Sequence, residues 1–175
     1  VLMDIMDTTP PEIREMARKT GRDLLPYAEG DNGWYQSQTN LLGRIHNVHK
    51  MPYLNFKKYL LPHQPQLRVC QDGAASRLLR RDFVLSFFNG HGVEINTMFP
   101  ESRPSCRADF AVLARALDIL RTNRANFCSP DWEPFVNGLS PTVWINRWHA
   151  AGKTIYTLCG TDPGGHRGAL LRVPH

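Results

Sequence analysis

"GAASRLLRRDFVLSFFNGHGVEINTMF", residues 73–99, decides the fold by whether it reads as one element or two. Leu79, Phe83 and Phe87 recur at i, i+4 and i+8, the stripe of an amphipathic helix. Asn89-Gly90 then supplies a helix stop, and "GVEINTMF" (92–99) reads as a strand. A helix that hands over directly to a strand is half of a βαβ unit. The neighbouring segments repeat the pattern. Downstream, "RADFAVLARALDILRTNRANF" (107–127) carries Phe110, Leu113, Ala114, Leu117 and Leu120 on one helical face. Upstream, three prolines break residues 51–69, which predicts a loop with a short strand near Leu67–Val69.

Further upstream, "WYQSQTNLLGRIHNV" (34–48) reads as a helix with Tyr35, Thr39 and Leu42 on one side. "LLPYAEGD" (24–31) reads as a strand. Thr9, with Pro10 and Pro11 after it and Glu12 three residues on, starts a helix that Gly21 closes. "VLMDIMD" (1–7) is strand-like. Strand and helix therefore alternate over the first 127 residues, which predicts an α/β chain built on a parallel sheet. After residue 130 the pattern changes. "TVWINRW" and "KTIYTLC" flank "HAAG" as a hairpin, and "GALLRV" (168–173) is a candidate third strand of an antiparallel β-domain.

The 175 residues are 42% hydrophobic and 10% aromatic, enough apolar surface for a packed core. Mean hydropathy is −0.38, and no apolar run reaches the roughly 18 residues of a membrane span. The net charge of +5 is scattered, with short clusters only at Lys57-Lys58 and Arg80-Arg81, so neither a nucleic-acid nor a membrane partner is expected. Cys70, Cys106, Cys128 and Cys159 form no CxxC pair, which argues against a zinc site, and four buried or idle thiols are expected in preference to two disulfides. Residue 1 lies inside a strand-like run and is not Met, so the expectation is a piece of a longer protein whose N-terminal part precedes it. The compartment is left open.

In parallel α/β folds the residues just beyond the carboxyl ends of the strands line the site. Applied here, the rule gathers Asp4 and Asp7 from the first strand and Glu29 and Asp31 from the second. Asp72 follows the third strand, and Glu94 and Asn96 come from the fourth. Trp34 and Tyr35 lie just past the second acid pair, where an aromatic face could stack on a sugar. Two carboxyl groups facing each other across a glycosidic bond are what its hydrolysis needs. Asp4, Glu29 and Asp31 are therefore the candidate catalytic residues, and Asp7, Trp34, Tyr35, Glu94 and Asn96 the candidate substrate contacts. The same acids also fit a plainer reading, with Asp31-Asn32-Gly33 as a solvated turn. His46 and His49 lack a third ligand nearby, and "GTDPGGHRG" (160–168) lacks the Lys-Ser/Thr of a phosphate loop. No metal and no cofactor is expected.

Five stretches together resemble the C-terminal half of a group of large bacterial glycosidase-like proteins: "SQTNLLGRIHN", "FKKYLLP", "FFNGHGVEI", "ALDILRTNRANFCSPDWEPFV" and "VWINRWHAAGKTIYTLCG". The resemblance runs from Leu25 to Leu171 and is most specific over residues 115–160. It implies about four βα units of a partial (β/α)₈ TIM-type barrel over residues 1–130, followed by the truncated start of an antiparallel β-domain over 131–175. It also implies a carbohydrate substrate and, as partner, the missing N-terminal half of the same chain. By position Asp4 matches the nucleophile of related α-glycosidase barrels, and Glu29 an acid from a later strand end. The strand "VEINTMF" departs from the family, with Glu94 early and no Trp-Glu-Asn near its end. The alternative is a non-catalytic carbohydrate-binding or scaffold module that has lost its activity.

Overall fold

The computed structural model describes residues 2–5, 10–21, 25–29, 41–45, 66–71, 76–96 and 107–173. The elements are β1 (Leu2–Ile5), α1 (Pro10–Lys19), β2 (Leu25–Glu29), β3 (Leu41–Ile45), β4 (Gln66–Gln71), α2 (Ser76–Phe88) and β5 (Gly92–Asn96). They continue with α3 (Arg107–Thr122), α4 (Arg124–Phe127), β6 (Trp132–Glu133), β7 (Val143–Ala150) and β8 (Lys153–Gly160). Strands β1 to β5 form one parallel sheet in the order β1-β2-β3-β4-β5, and β6 to β8 form a separate antiparallel sheet.

This arrangement corrects the barrel expectation. A (β/α)₈ barrel closes eight strands on themselves, each followed by a helix. Here β1 pairs with β2 and β5 with β4, and among the described residues nothing joins β1 to β5. The described chain holds four helices beside an open sheet and a three-stranded antiparallel sheet, with no barrel pattern. Alternation of strand and helix is a local property, whereas closure depends on pairing between the first and last strands. A second correction concerns the helix expected over 34–48, where Leu41–Ile45 is a strand paired on both sides. Gly43 weakens a helix there, and a short apolar run fits either period. The third strand expected at 168–173 is also absent. That segment is irregular and is tied to the β6–β7 connection through Leu170, whose carbonyl accepts the Leu139 N–H at 2.8 Å.

Helix α2 is the centre of the described structure because it buries two opposite faces. Phe83 packs with Leu113 of α3, joined by Val93, Phe110 and Leu117. Leu85 and Phe88, turned away from Phe83, pack with Cys159 of β8 and Trp144 of β7. A helix apolar on both sides lies between layers rather than on a surface. Polar groups tie the second layer down. Asn146 is fully buried; its Nδ2 donates to the Phe88 carbonyl at 2.9 Å and its Oδ1 accepts the Phe135 N–H at 3.1 Å. The Thr157 hydroxyl donates to the same Phe88 carbonyl at 2.9 Å, and the Trp148 indole N–H donates to that hydroxyl at 3.0 Å. These bonds satisfy a carbonyl of the last helical turn that would otherwise be orphaned. At the far end of the hairpin, Asn126 Nδ2 reaches the Lys153 carbonyl at 2.7 Å. The hairpin itself turns on Ala151 and Gly152, both at positive φ, as a two-residue turn between twisted strands requires.

The stop of α2 is a Schellman cap. The Gly90 N–H donates to the Phe87 carbonyl at 3.0 Å and the His91 N–H to the Ser86 carbonyl at 2.8 Å, with Gly90 at φ +64°. A Cβ at Gly90 would sit 3.1 Å from both Phe127 Cδ1 and Trp148 Cη2. Gly90→Ala should therefore cost about 2–4 kcal/mol, left-handed backbone and overpacking together. Gly21, at φ +65° with open space around it, supplies the control, because Gly21→Ala carries the backbone cost alone. Urea unfolding separates the two, and equal midpoints for both variants would contradict this packing.

Candidate active site

The strand register places two of the predicted site residues, Asp4 and Glu29, on the adjacent parallel strands β1 and β2. Asp4 lies opposite Tyr27, so Glu29, two residues further along β2, has the same parity of the pleat. Glu29 lies opposite Arg44, Arg44 opposite Leu67, and Leu67 opposite Gly92. The ladder shifts register between Tyr27 and Glu29 and again between Leu42 and Arg44, so pleat parity does not carry from β2 to Glu94 and Asn96 of β5. Val93 packs on the Phe83–Leu113 cluster of α2 and α3. Glu29 ends β2 and Asn96 ends β5, so both stand at the carboxyl edge of the sheet.

Spacing divides the set. Asp4 and Glu29 are one strand and two residues apart, which puts their Cα atoms about 8 Å from each other. Glu94 and Asn96 stand three strands from Glu29, beyond about 14 Å. The structure brings Asp4 and Glu29 together and leaves Glu94, half-buried, and Asn96 apart from them. Asp7, Asp31, Trp34 and Tyr35 lie outside the described residues, as do His46 and His49. The pairing also brings in a residue that sequence reading missed. Arg44 is the register partner of Glu29 across the β2–β3 ladder. It was hidden because residues 34–48 read as a helix, which would have turned position 44 away from any strand row. The β2–β3 register shifts between Tyr27 and Glu29. Such bulges recur beside active sites, where they re-aim a single position.

A second polar cleft, of about 320 Å³, lies on the outer face of the hairpin between Asp131, Arg147, His149, Thr154 and Tyr156. Its cation is already engaged. Arg147 Nη2 stands 2.9 Å from Glu133 Oε2 and 3.9 Å from Asp131 Oδ1. His149 Nδ1 is 2.7 Å from Thr154 Oγ1. The loop after β8 is a tight Asp162-capped turn, with the Gly164 N–H donating to Asp162 Oδ1 at 2.8 Å and Gly165 at φ +76°. Ser86 spends its hydroxyl on the Asp82 carbonyl inside α2, at 2.7 Å, and offers no nucleophile. Cys128 and Cys159 are free thiols, and burial pushes the Cys159 thiol up against a smaller opposing pull from Arg81. Among the described residues no three His, Cys, Asp or Glu side chains gather as metal ligands, and no helix is long and apolar enough to cross a membrane.

No protein-family model, no curated protein and no solved structure matches this chain.

Proposed function

We propose that the sheet face bearing Asp4 and Glu29 hydrolyses a glycosidic bond. The observation that supports it is the common parity and close spacing of the two acids at adjacent parallel strands. Cα atoms about 8 Å apart on one face allow carboxyl groups to stand between about 5 and 10 Å apart, the range in which a pair can work across an anomeric carbon. One carboxylic acid donates its proton to the leaving glycosidic oxygen as the C–O bond breaks. The other, as carboxylate, attacks the anomeric carbon or takes a proton from the water that does. Trp34 and Tyr35, which follow the second acid, supply the aromatic face for a sugar ring, and Asp7 and Asp31 its hydroxyl contacts. The resemblance to bacterial glycosidase-like proteins points to the same substrate class.

The test is release of nitrophenol from a panel of aryl glycosides by the protein, with Asp4→Asn and Glu29→Gln beside it. Each variant should lose at least about 100-fold in kcat on the glycoside that the parent cleaves, the usual worth of a positioned acid or base. Glu94→Gln, three strands away, should lose little. Undiminished rates in both Asp4→Asn and Glu29→Gln would remove the assignment. Saturable sugar binding without hydrolysis by the parent would replace it with a carbohydrate-binding module.

A further inference from the structure

A cavity of about 380 Å³ opens between α3, α4 and the amino edge of β4 and β5, at the opposite end of the strands from Glu29 and Asn96. That volume falls in the range of small-molecule sites. Its walls are apolar, with Leu67, Val93, Leu117, Leu120 and Phe127 contributing. Two side chains break that character, Arg121 of the last turn of α3 and Arg124 at the start of α4. Asn123 between them ends the α3 helix, so two arginines three residues apart both reach one cavity. No carboxylate lines it among the described residues, and neither guanidinium makes an ion pair or hydrogen bond with a described residue.

We infer that this cavity binds a small amphipathic monocarboxylate, with its apolar body against Leu117, Leu120 and Phe127 and its carboxylate held by Arg121 and Arg124. The chemistry of the lining selects that class. A neutral hydrocarbon would leave the two exposed guanidiniums at the cavity's rim without a ligand partner. A free inorganic anion would leave the apolar walls wet. A guanidinium matches a carboxylate with two parallel N–H···O bonds, and two of them outbid solvent for it. The site is independent of the acid pair on the sheet face.

Isothermal titration of the protein with a series of straight-chain carboxylates from hexanoate to decanoate, and with decanol, tests the assignment. Saturable binding is expected, tightening about fourfold per added methylene until the cavity is full. Decanol should bind at least tenfold more weakly than decanoate. Arg121→Gln/Arg124→Gln, both exposed positions, should weaken decanoate at least tenfold and leave decanol unchanged, with an unaltered circular dichroism spectrum confirming the fold. No saturable decanoate binding at roughly millimolar concentration would overturn the inference. So would equal affinity for decanol and decanoate in the parent protein, a comparison that needs no variant.

Discussion

Trp148→Ala should be the most damaging single substitution in the described structure, lowering stability by about 3–5 kcal/mol. Trp148 is fully buried at the meeting point of three elements. Its ring stacks on Trp132 of β6, with centroids 5.0 Å apart and planes at 11°, and lies 5.1 Å from Phe127 of α4. Gly90 passes beneath it at the cap of α2. Its indole N–H also orients the Thr157 hydroxyl, which in turn donates to Phe88. Removal therefore leaves a large cavity and unpins the hydroxyl that holds β8 to the helix. Because whole domains are stable by only about 5–15 kcal/mol, the loss should show as a large fall in urea midpoint. Trp148→Phe keeps an aromatic ring and loses the indole N–H, so it should cost markedly less, of the order of one buried hydrogen bond with some repacking. A cost below about 1 kcal/mol for Trp148→Ala would mean that the antiparallel sheet is not held to α2 through this cluster.

Much of this junction was out of reach of the sequence. The stripe Leu79, Phe83 and Phe87 correctly marks residues 76–88 as helical, and the apolar periodicity of residues 107–122 marks α3, because long runs at one period are hard to mistake. The hairpin around Ala151-Gly152 is legible for the same reason, since two β-rich runs flank a short turn. The second buried face of α2 is not legible. Leu85 and Phe88 fall outside the stripe, and their partners Trp144 and Cys159 lie more than 55 positions further along the chain. Asn126, Asn146 and Thr157 read as ordinary polar residues, yet they are buried because each meets a specific backbone group. β3 was misread because Leu41, Leu42 and Ile45 satisfy a helical spacing as well as a strand, and pairing with β2 and β4 decides between them. The barrel was over-read for a related reason, since local alternation carries no information about closure.

The candidate site was legible in part. The carboxyl-end rule named Asp4 and Glu29, which lie on the adjacent parallel strands β1 and β2. The rule could not separate them from Glu94, because lateral distance across a sheet is set by strand order and not by position in the chain. Arg44 was lost with the misread strand.

The account predicts that Asp4 and Glu29 act as one unit in glycoside cleavage, and a double-mutant cycle on kcat measures that directly. Asp4→Asn and Glu29→Gln should each remove at least about 100-fold, and the double variant should be little slower than the slower single variant, because either loss alone disables the pair. Losses that multiply in the double variant would show two residues contributing separately, and contradict a paired acid–base site on this sheet face.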